Sequence, residues 1–489
     1  MDILTSITSA LQQYSSVTET ENGDTAYRST GSTNLDFYGT AGALRHDPSA
    51  ARKLFLAALR EDYGLAVKNL LYLRDVRSGL GERHLFRVCW SAYCRMYPQD
   101  AAKLIPAVVA CGRWDDLLAG LKTPAEPAII AAIQDQLAED RRTLRENGTV
   151  SLLAKWLPSV NTSSKTARKT ARYLAIRLGM SEPGYRRMLS ALRRGSIIEN
   201  NLREKDYSFS YTGVPSMAMH KYRRAFARND GERYKAFIAA VSEGQAKIHA
   251  VAIYPYQIIS EYQPGMTDLQ KQAMQVKWDE MKSAFSAEQT IVVRDGSGSM
   301  TWDNGLPMLN ATALAILFAE LQQGPFHNRF ITFSSKPEMV SFKKNDTLYD
   351  KLATAYRYDD CSNTDISRVY DLLYNTDRRA ETAADYVRRV VIISDMEFDC
   401  GTVNVPTYET MKRKFESAGF PLPEIIYWNV CARRVHFAAP AGESNVKYVS
   451  GFSAAVLDAI LHHGSLAPED MMRQTLAKYD IWTAGLTQK

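Results

Sequence analysis

Apolar and polar positions follow two rhythms along the chain, and the change between them falls near residue 285. Before it, apolar residues recur every third or fourth position, the mark of helices with one buried face. Residues 50–59 and 65–74 are rich in alanine and leucine. Gly79 and Gly81 then interrupt the pattern, which resumes over 85–96 and 101–109. The spacing predicts helix pairs with short breaks, the form of stacked helical repeats, with no regular repeat length. A last helix is expected over 268–285, after an apolar, proline-containing stretch at 251–264 that closes this part.

Beyond residue 285, runs of β-branched residues alternate with helical stretches, which predicts an α/β layer structure. Thr290, Ile291, Val292 and Val293 predict a buried strand that ends at Asp295, and a long apolar helix is expected over 307–323. Residues 329–333 and 339–342 predict a hairpin beside that strand. Buried strands are expected at 388–395 and 424–430, with an edge strand at 447–450 and a covering helix over 452–461. An amphipathic stretch at 468–486 is expected to pack back on the helical part. The first residues are polar: Ile3, Ile7 and Leu11 could share one short helix, and 19–33 reads as extended or loosely ordered. Three parts follow: a polar segment at 1–34, a helical-repeat domain at 35–285 and an α/β domain at 286–489.

Composition is that of an ordinary globular protein, 45% hydrophobic and 23% charged. The start lacks the basic region of a signal peptide, and no apolar run approaches membrane-spanning length. Cys89, Cys94, Cys111, Cys361, Cys400 and Cys431 are scattered without Cys-x-x-Cys spacing. They read as reduced thiols in a cytoplasm-like compartment, without structural zinc.

Charge changes the picture more. Residues 151–250 hold 19 Lys and Arg against 7 Asp and Glu, a local excess of +12; the chain's net charge of +6 therefore leaves −6 elsewhere. Such a cationic block attracts polyanions, nucleic acid above all; the plainer reading is a solvated helical face. Lys165, Arg168, Lys169 and Arg172 fall at i, i+3, i+4 and i+7 and share one helical face. Arg186, Arg187, Arg193 and Arg194 decorate the next helix, and Lys221, Arg223, Arg224 and Arg228 another. Tyr173, Tyr185, Tyr207, Tyr211 and Tyr222 are interleaved, placed either to stack on unpaired bases or to pack between helices.

The remaining chemistry sits at strand ends. In Asp295-Gly296-Ser297-Gly298-Ser299 a carboxylate and two hydroxyls alternate with glycines at the end of the predicted strand. Oxygen donors of this kind suit a hard divalent cation such as Mg²⁺, which keeps part of its water shell. A serine-glycine turn with Asp295 as a helix cap is the plainer alternative. The predicted strand at 388–395 also ends in Ser-Asp, at Asp395, and between the two lies a polar loop, 359–365, containing Thr364. Asp-x-Ser-x-Ser, then a loop Thr, then a strand-terminal Asp resembles the metal-ion-dependent adhesion site of von Willebrand factor A domains. The resemblance implies that Asp295, Ser297, Ser299, Thr364 and Asp395 surround Mg²⁺ or another divalent cation.

A second resemblance covers nearly the whole chain. Arg74-Asp-Val-Arg-Ser-Gly-Leu-Gly-Glu-Arg83, followed by Gly112-Arg-Trp-Asp-Asp-Leu117, is similar to the TROVE module of the Ro autoantigen family. It looks still more like a family labelled only as a domain of unknown function that joins such a module to a von Willebrand A domain. Further matching strings include Tyr185-Arg-Arg-Met-Leu-Ser-Ala-Leu192 and Ser394-Asp-Met-Glu-Phe-Asp399. The expected fold class is a HEAT-like, TROVE-type helical domain followed by a doubly wound A domain. The resemblance implies a monomeric ring that binds single-stranded RNA ends and structured small RNA. It also implies a partner protein, a nuclease for example, at the metal. From the residues alone, Arg74, Asp75, Arg77, Glu82 and Arg83 predict an ion network between helices. No His-Glu-x-x-His occurs and the histidines are dispersed, so a binding protein is expected rather than an enzyme. The alternative is an adaptor that uses the metal to hold an acidic protein partner, without RNA.

Overall fold

The computed structural model describes residues 16–194, 198–250, 253–283, 290–333, 336–359, 364–379, 386–399, 406–453, 456 and 467–486. The helix expected from Ile3, Ile7 and Leu11, most of 452–461, and Cys361 and Cys400 lie outside these residues.

Two short strands, β1 (Val17–Glu19) and β2 (Thr25–Tyr27), pair antiparallel. Six more make one sheet: β3 (Thr290–Asp295), β4 (Arg329–Phe333), β5 (Met339–Ser341), β6 (Arg389–Ser394), β7 (Glu424–Asn429) and β8 (Val446–Ser450). Its order is β5-β4-β3-β6-β7-β8, parallel throughout except for β5, which folds back beside β4 as the expected hairpin. Side chains alternate along each strand, so the sheet joins two cores. Ile291, Val293, Ile392 and Tyr427 face helices Ile366–Asp377 and Thr407–Ser417. Val292, Ile393, Ile426 and Trp428 face the long helix Trp302–Leu321 and share one core with the N-terminal helices.

The long helix is apolar all round because it is covered all round, by the sheet on one side and helices on the other. The stretch Gly298–Leu321 has the length and apolarity of a membrane span, against the expectation of no such run, and 67% of its apolar window is buried inside the protein.

Helices run from Thr33–Thr40 to Asp268–Lys282 before the sheet begins at Thr290. The expected ion network is present with different partners. Buried Arg74 bonds Asp116 through Nε at 2.6 Å, and Arg87 bonds the other oxygen of Asp116 at 2.8 Å. Glu82 pairs with Arg45, and Asp75 accepts from Ser78 and Tyr479. The last of these ties the C-terminal residues, with helix Pro468–Leu476, onto helix Tyr63–Arg74. A separate small core, with Tyr211, Phe226, Tyr234, Ile238 and Val276, holds helices Ser216–Asn229, Gly231–Ser242 and Asp268–Lys282 together.

The N-terminal part differs most from expectation. Residues 19–33 are not loose: Thr20, Asp24, Thr25, Ala26 and Tyr27 are buried, and β2 bridges to Phe437 in the sheet half. A polar segment becomes ordered here by hydrogen-bonding a distant surface rather than by a core of its own. Helix Thr33–Thr40 then covers β8, which stands at the sheet edge yet is buried along its length. A Cβ at Gly39 would lie 2.8 Å from Tyr448 Cβ, so the helix approaches the strand closely enough to require glycine.

Candidate metal centre and basic face

The order of strands in the sheet reverses between β3 and β6. Connections leave those two strands in opposite directions, and the crevice beyond their C-terminal ends is where open parallel sheets bind ligands. Register sets the chemistry there. Arg294 pairs with Ile393, so Asp295 stands at the next rung beside Ser394. The Ser394 hydroxyl donates to Asp295 Oδ2, and the Ser297 N–H donates to Asp295 Oδ1 at 2.8 Å. Ser297 and Ser299 hydroxyls lie 2.9 Å apart, and Ser299 hydrogen-bonds Asp395. Four of the five predicted oxygen ligands, Asp295, Ser297, Ser299 and Asp395, therefore form one connected cluster. The loop after Asp395 turns through Met396 at φ 68°, a left-handed conformation unfavourable for a methionine and held by its N–H bond to Ser394 Oγ at 3.0 Å.

Thr364 is held differently. Its hydroxyl donates to the Glu397 carbonyl at 3.1 Å and its N–H to Asp399 at 2.6 Å, so it braces the loop behind Asp395. Residues 360–363 of the preceding loop are outside the described residues.

Burial raises the Asp295 carboxyl well above the usual carboxylate range, and the nearby Asp395 charge raises it further. Asp395 is raised for the first of these reasons too, while Ser299 and the Arg433 guanidinium pull it back. Two neighbouring carboxyls with hydroxyls beside them make an all-oxygen donor set that fits a hard divalent cation. Asp295, Ser297, Ser299 and Asp395 are the residues that would hold it. Among the described residues, no group of three or more His, Cys, Asp and Glu gathers that could hold a metal ion, here or elsewhere, so the crevice offers two carboxylates and hydroxyls alone.

Two participants were invisible to sequence reasoning. Arg433, just beyond β7, bonds Asp395 Oδ2 and Glu21 Oε2, both at 2.9 Å. Glu21 sits in the turn of the N-terminal hairpin, and its N–H bonds Glu397 at 2.6 Å. Thr20 and Asn22 also reach the loop, at the Phe398 and Glu397 carbonyls. The N-terminal hairpin thus straps the loop that carries Asp395. Ser394, by contrast, was legible as part of the Ser-Asp strand end.

The basic residues lie on the helical part. Helix Lys165–Arg177 begins at Ser164, whose hydroxyl accepts from the Ala167 N–H at 3.3 Å. Lys165, Lys169, Arg172, Arg186, Arg187, Arg194, Lys221 and Arg224 are exposed; Arg168 and Arg223 are half-buried. Arg172 pairs with Glu182 at 3.1 Å, whereas Lys165, Arg168, Lys169, Arg186, Arg187 and Arg194 have no carboxylate partner among the described residues.

Arg193 does not belong with that face. Its guanidinium donates to the Ala154 and Leu157 carbonyls and to Ser159, which staples two helices together. The tyrosines resolve toward packing. Tyr185 and Tyr211 are buried, Tyr173 donates to Glu126, Tyr222 donates to Glu199, and Tyr207 accepts from Asn229.

Comparison with known proteins places two family models end to end on this framework. Residues 163–293 match a domain of unknown function, DUF2828, and residues 289–483 match another, DUF7788. They meet in β3, so the second covers the sheet and both strand-terminal aspartates, and the first covers the basic helices. The chain is also similar to an uncharacterised protein, L728, of Acanthamoeba polyphaga mimivirus. The two are 29% identical over 512 residues, covering 94% of this chain and 87% of the viral protein. Similarity at that coverage extends to both halves together.

Proposed function

We propose that the protein binds small RNA through its basic helical face and holds a divalent cation at the sheet crevice, as a TROVE-type helical domain joined to a von Willebrand A domain. The observation that carries the RNA reading is the set of unpaired cations. Lys165, Arg168, Lys169, Arg186, Arg187 and Arg194 lie on consecutive helices and the turn after them, without carboxylate partners among the described residues. Surface cations usually sit among carboxylates, and a run without them favours a phosphate backbone. With the tyrosines engaged in packing, phosphate contacts rather than base stacking supply the affinity, and a structured or 3′-tailed RNA meets that need. The strand order, with an antiparallel edge at β5 and both aspartates at the reversal, supports the A-domain reading.

Titrating a hairpin RNA with a single-stranded 3′ tail at rising salt tests this, with and without EDTA. Tight binding should fall steeply with salt and ignore EDTA. Lys165→Glu with Arg168→Glu should weaken it and lower the salt slope by about 1–2. No binding at low salt overturns the RNA reading.

One observation favours a second activity in the same molecule. Asp295 and Asp395 lie close enough for the Asp395 charge to raise the Asp295 carboxyl, and burial raises both, a charge arrangement that a divalent cation relieves. A bound cation would offer a remaining position to a carboxylate of a partner protein, such as a nuclease. Asp295→Ala should abolish that docking and spare RNA; loss of RNA binding instead would refute the separation.

A further inference from the structure

The small core of helices Ser216–Asn229, Gly231–Ser242 and Asp268–Lys282 carries a cavity of about 140 Å³ that is distinct from the metal crevice and from the Lys165–Arg187 face. Arg223, Arg224, Tyr234, Gln263, Thr267 and Gln270 line it, with Glu261 at its side. Glu261 is already committed. Its Oε1 binds His220 Nδ1 at 2.8 Å and the buried Lys277 ammonium, and its Oε2 binds Arg223 Nε at 3.1 Å. Arg223 is further fixed by donating to the His220 carbonyl at 2.6 Å. Arg224 has no ion pair among the described residues. Arg223 and Arg224 line the cavity with Glu261 as its one carboxylate, and Glu261 is shared with the buried Lys277, so the cavity keeps a surplus of positive charge. Burial lowers the Lys277 pKa, and Glu261 opposes that shift.

A cavity of that charge asks for an anion. An apolar cavity of about 150 Å³ accommodates benzene, so the volume here admits a tetrahedral five-atom anion with a water or two. Glutamine, threonine and tyrosine around the arginines supply neutral hydrogen-bonding groups for phosphate oxygens. Helix Asp268–Lys282 also begins at Thr267, so its positive end lies on the same side of the cavity. Arg223, held in advance by Glu261, can meet an incoming anion without first losing side-chain freedom.

We infer that this cavity is a binding pocket for a phosphate monoester on a nucleotide, with Arg223 and Arg224 as the contacting cations. A dianionic terminal phosphate matches the two guanidiniums that line the cavity better than a backbone diester carrying one charge. The pocket rests on the RNA reading only for the molecule that bears the phosphate, either a strand end or a free nucleotide.

The test uses the full chain and a short single-stranded oligonucleotide with a 5′-phosphate or a 5′-hydroxyl, read by fluorescence anisotropy. AMP and inorganic phosphate serve as competitors. The phosphorylated end should bind about tenfold more tightly, the scale of one added set of charge-assisted bonds. Arg224→Glu should erase that preference, and because Arg224 is exposed and has no ion pair among the described residues, the fold should tolerate it. Lys165→Glu with Arg168→Glu should weaken both oligonucleotides and keep their ratio. Equal affinity for the two ends, with no AMP binding, overturns the pocket while leaving RNA binding intact. A preference that survives Arg224→Glu also overturns it. AMP binding that Arg224→Glu abolishes, with neither oligonucleotide bound, keeps the pocket, assigns it to a free nucleotide and sinks the RNA reading.

Discussion

Replacing Glu261 by glutamine removes one charge and almost no volume from the interior. Its consequence follows from what the carboxylate holds. Lys277 is 1% exposed and has Glu261 as its counter-ion; His220 and Arg223 bond the same carboxylate. Burial pushes the Glu261 carboxyl up, but the His220 bond and the charges of Lys277 and Arg223 outweigh this and hold it below its usual range. Removing one partner of a buried ion pair costs about 3–5 kcal/mol, because the other charge stays behind without compensation. The loss falls on the small core of helices Ser216–Asn229 and Asp268–Lys282 rather than on the whole chain, so a single melting temperature is a poor measure. Amide hydrogen exchange of these two helices is the better assay. At about 1.4 kcal/mol per factor of ten, exchange should accelerate roughly a hundred- to several-thousand-fold, while strand β6 stays unchanged. The pH dependence has a definite sign. A carboxyl lowered in the folded state contributes stability that is present above its unfolded pKa of about 4.5 and lost as pH falls through the folded value. The variant's defect should therefore be full at pH 7 and shrink below about pH 4.5. Pairing Glu261→Gln with Lys277→Met, which removes both charges, should restore most of the protection. Exchange within threefold of wild type, or a double variant no better than the single one, would refute the reasoning.

Other substitutions probe the crevice and the sheet edge. Asp295→Asn should cancel Mg²⁺-dependent thermal stabilisation, and in the wild-type protein that stabilisation should be greater at pH 8 than at pH 5, since Asp295 is pushed up to about 7; equal stabilisation of wild type and variant by Mg²⁺ would remove Asp295 from the site. Arg433→Met takes a positive charge off Asp395 and should tighten cation binding about tenfold by calorimetry, the scale of one partly buried charge; weaker binding would mean that Arg433 helps to build the site. Gly39→Ala forces a Cβ to 2.8 Å from Tyr448 Cβ and should destabilise by about 1–3 kcal/mol in urea unfolding, with a neutral result showing that helix Thr33–Thr40 can lift off β8.

Several parts of this protein were settled by local sequence. The β-branched runs at 290–293 and 388–395 specify strands wherever they are buried, and their terminal Asp295 and Asp395 come with them. The helical rhythm before residue 285, the hairpin of β4 and β5 and the cationic block were legible for the same reason: each depends on neighbours a few positions apart. Other features depend on pairing between distant segments. The register of β3 against β6 brings Ser394 to Asp295 across 99 positions. Arg433 joins Asp395 to Glu21 only because the N-terminal hairpin docks on the sheet half, and a polar stretch carries no hydrophobic pattern to announce docking. The expected edge strand β8 became buried because a helix from the other end of the chain lies over it. Arg193, Tyr185 and Tyr211, alike in sequence to their surface neighbours, turned inward because carbonyls and a carboxylate were waiting there. Hydrophobic period is a property of one segment, so the chain alone determines its elements; hydrogen bonds and charges act between segments, so only the tertiary structure decides which of them meet.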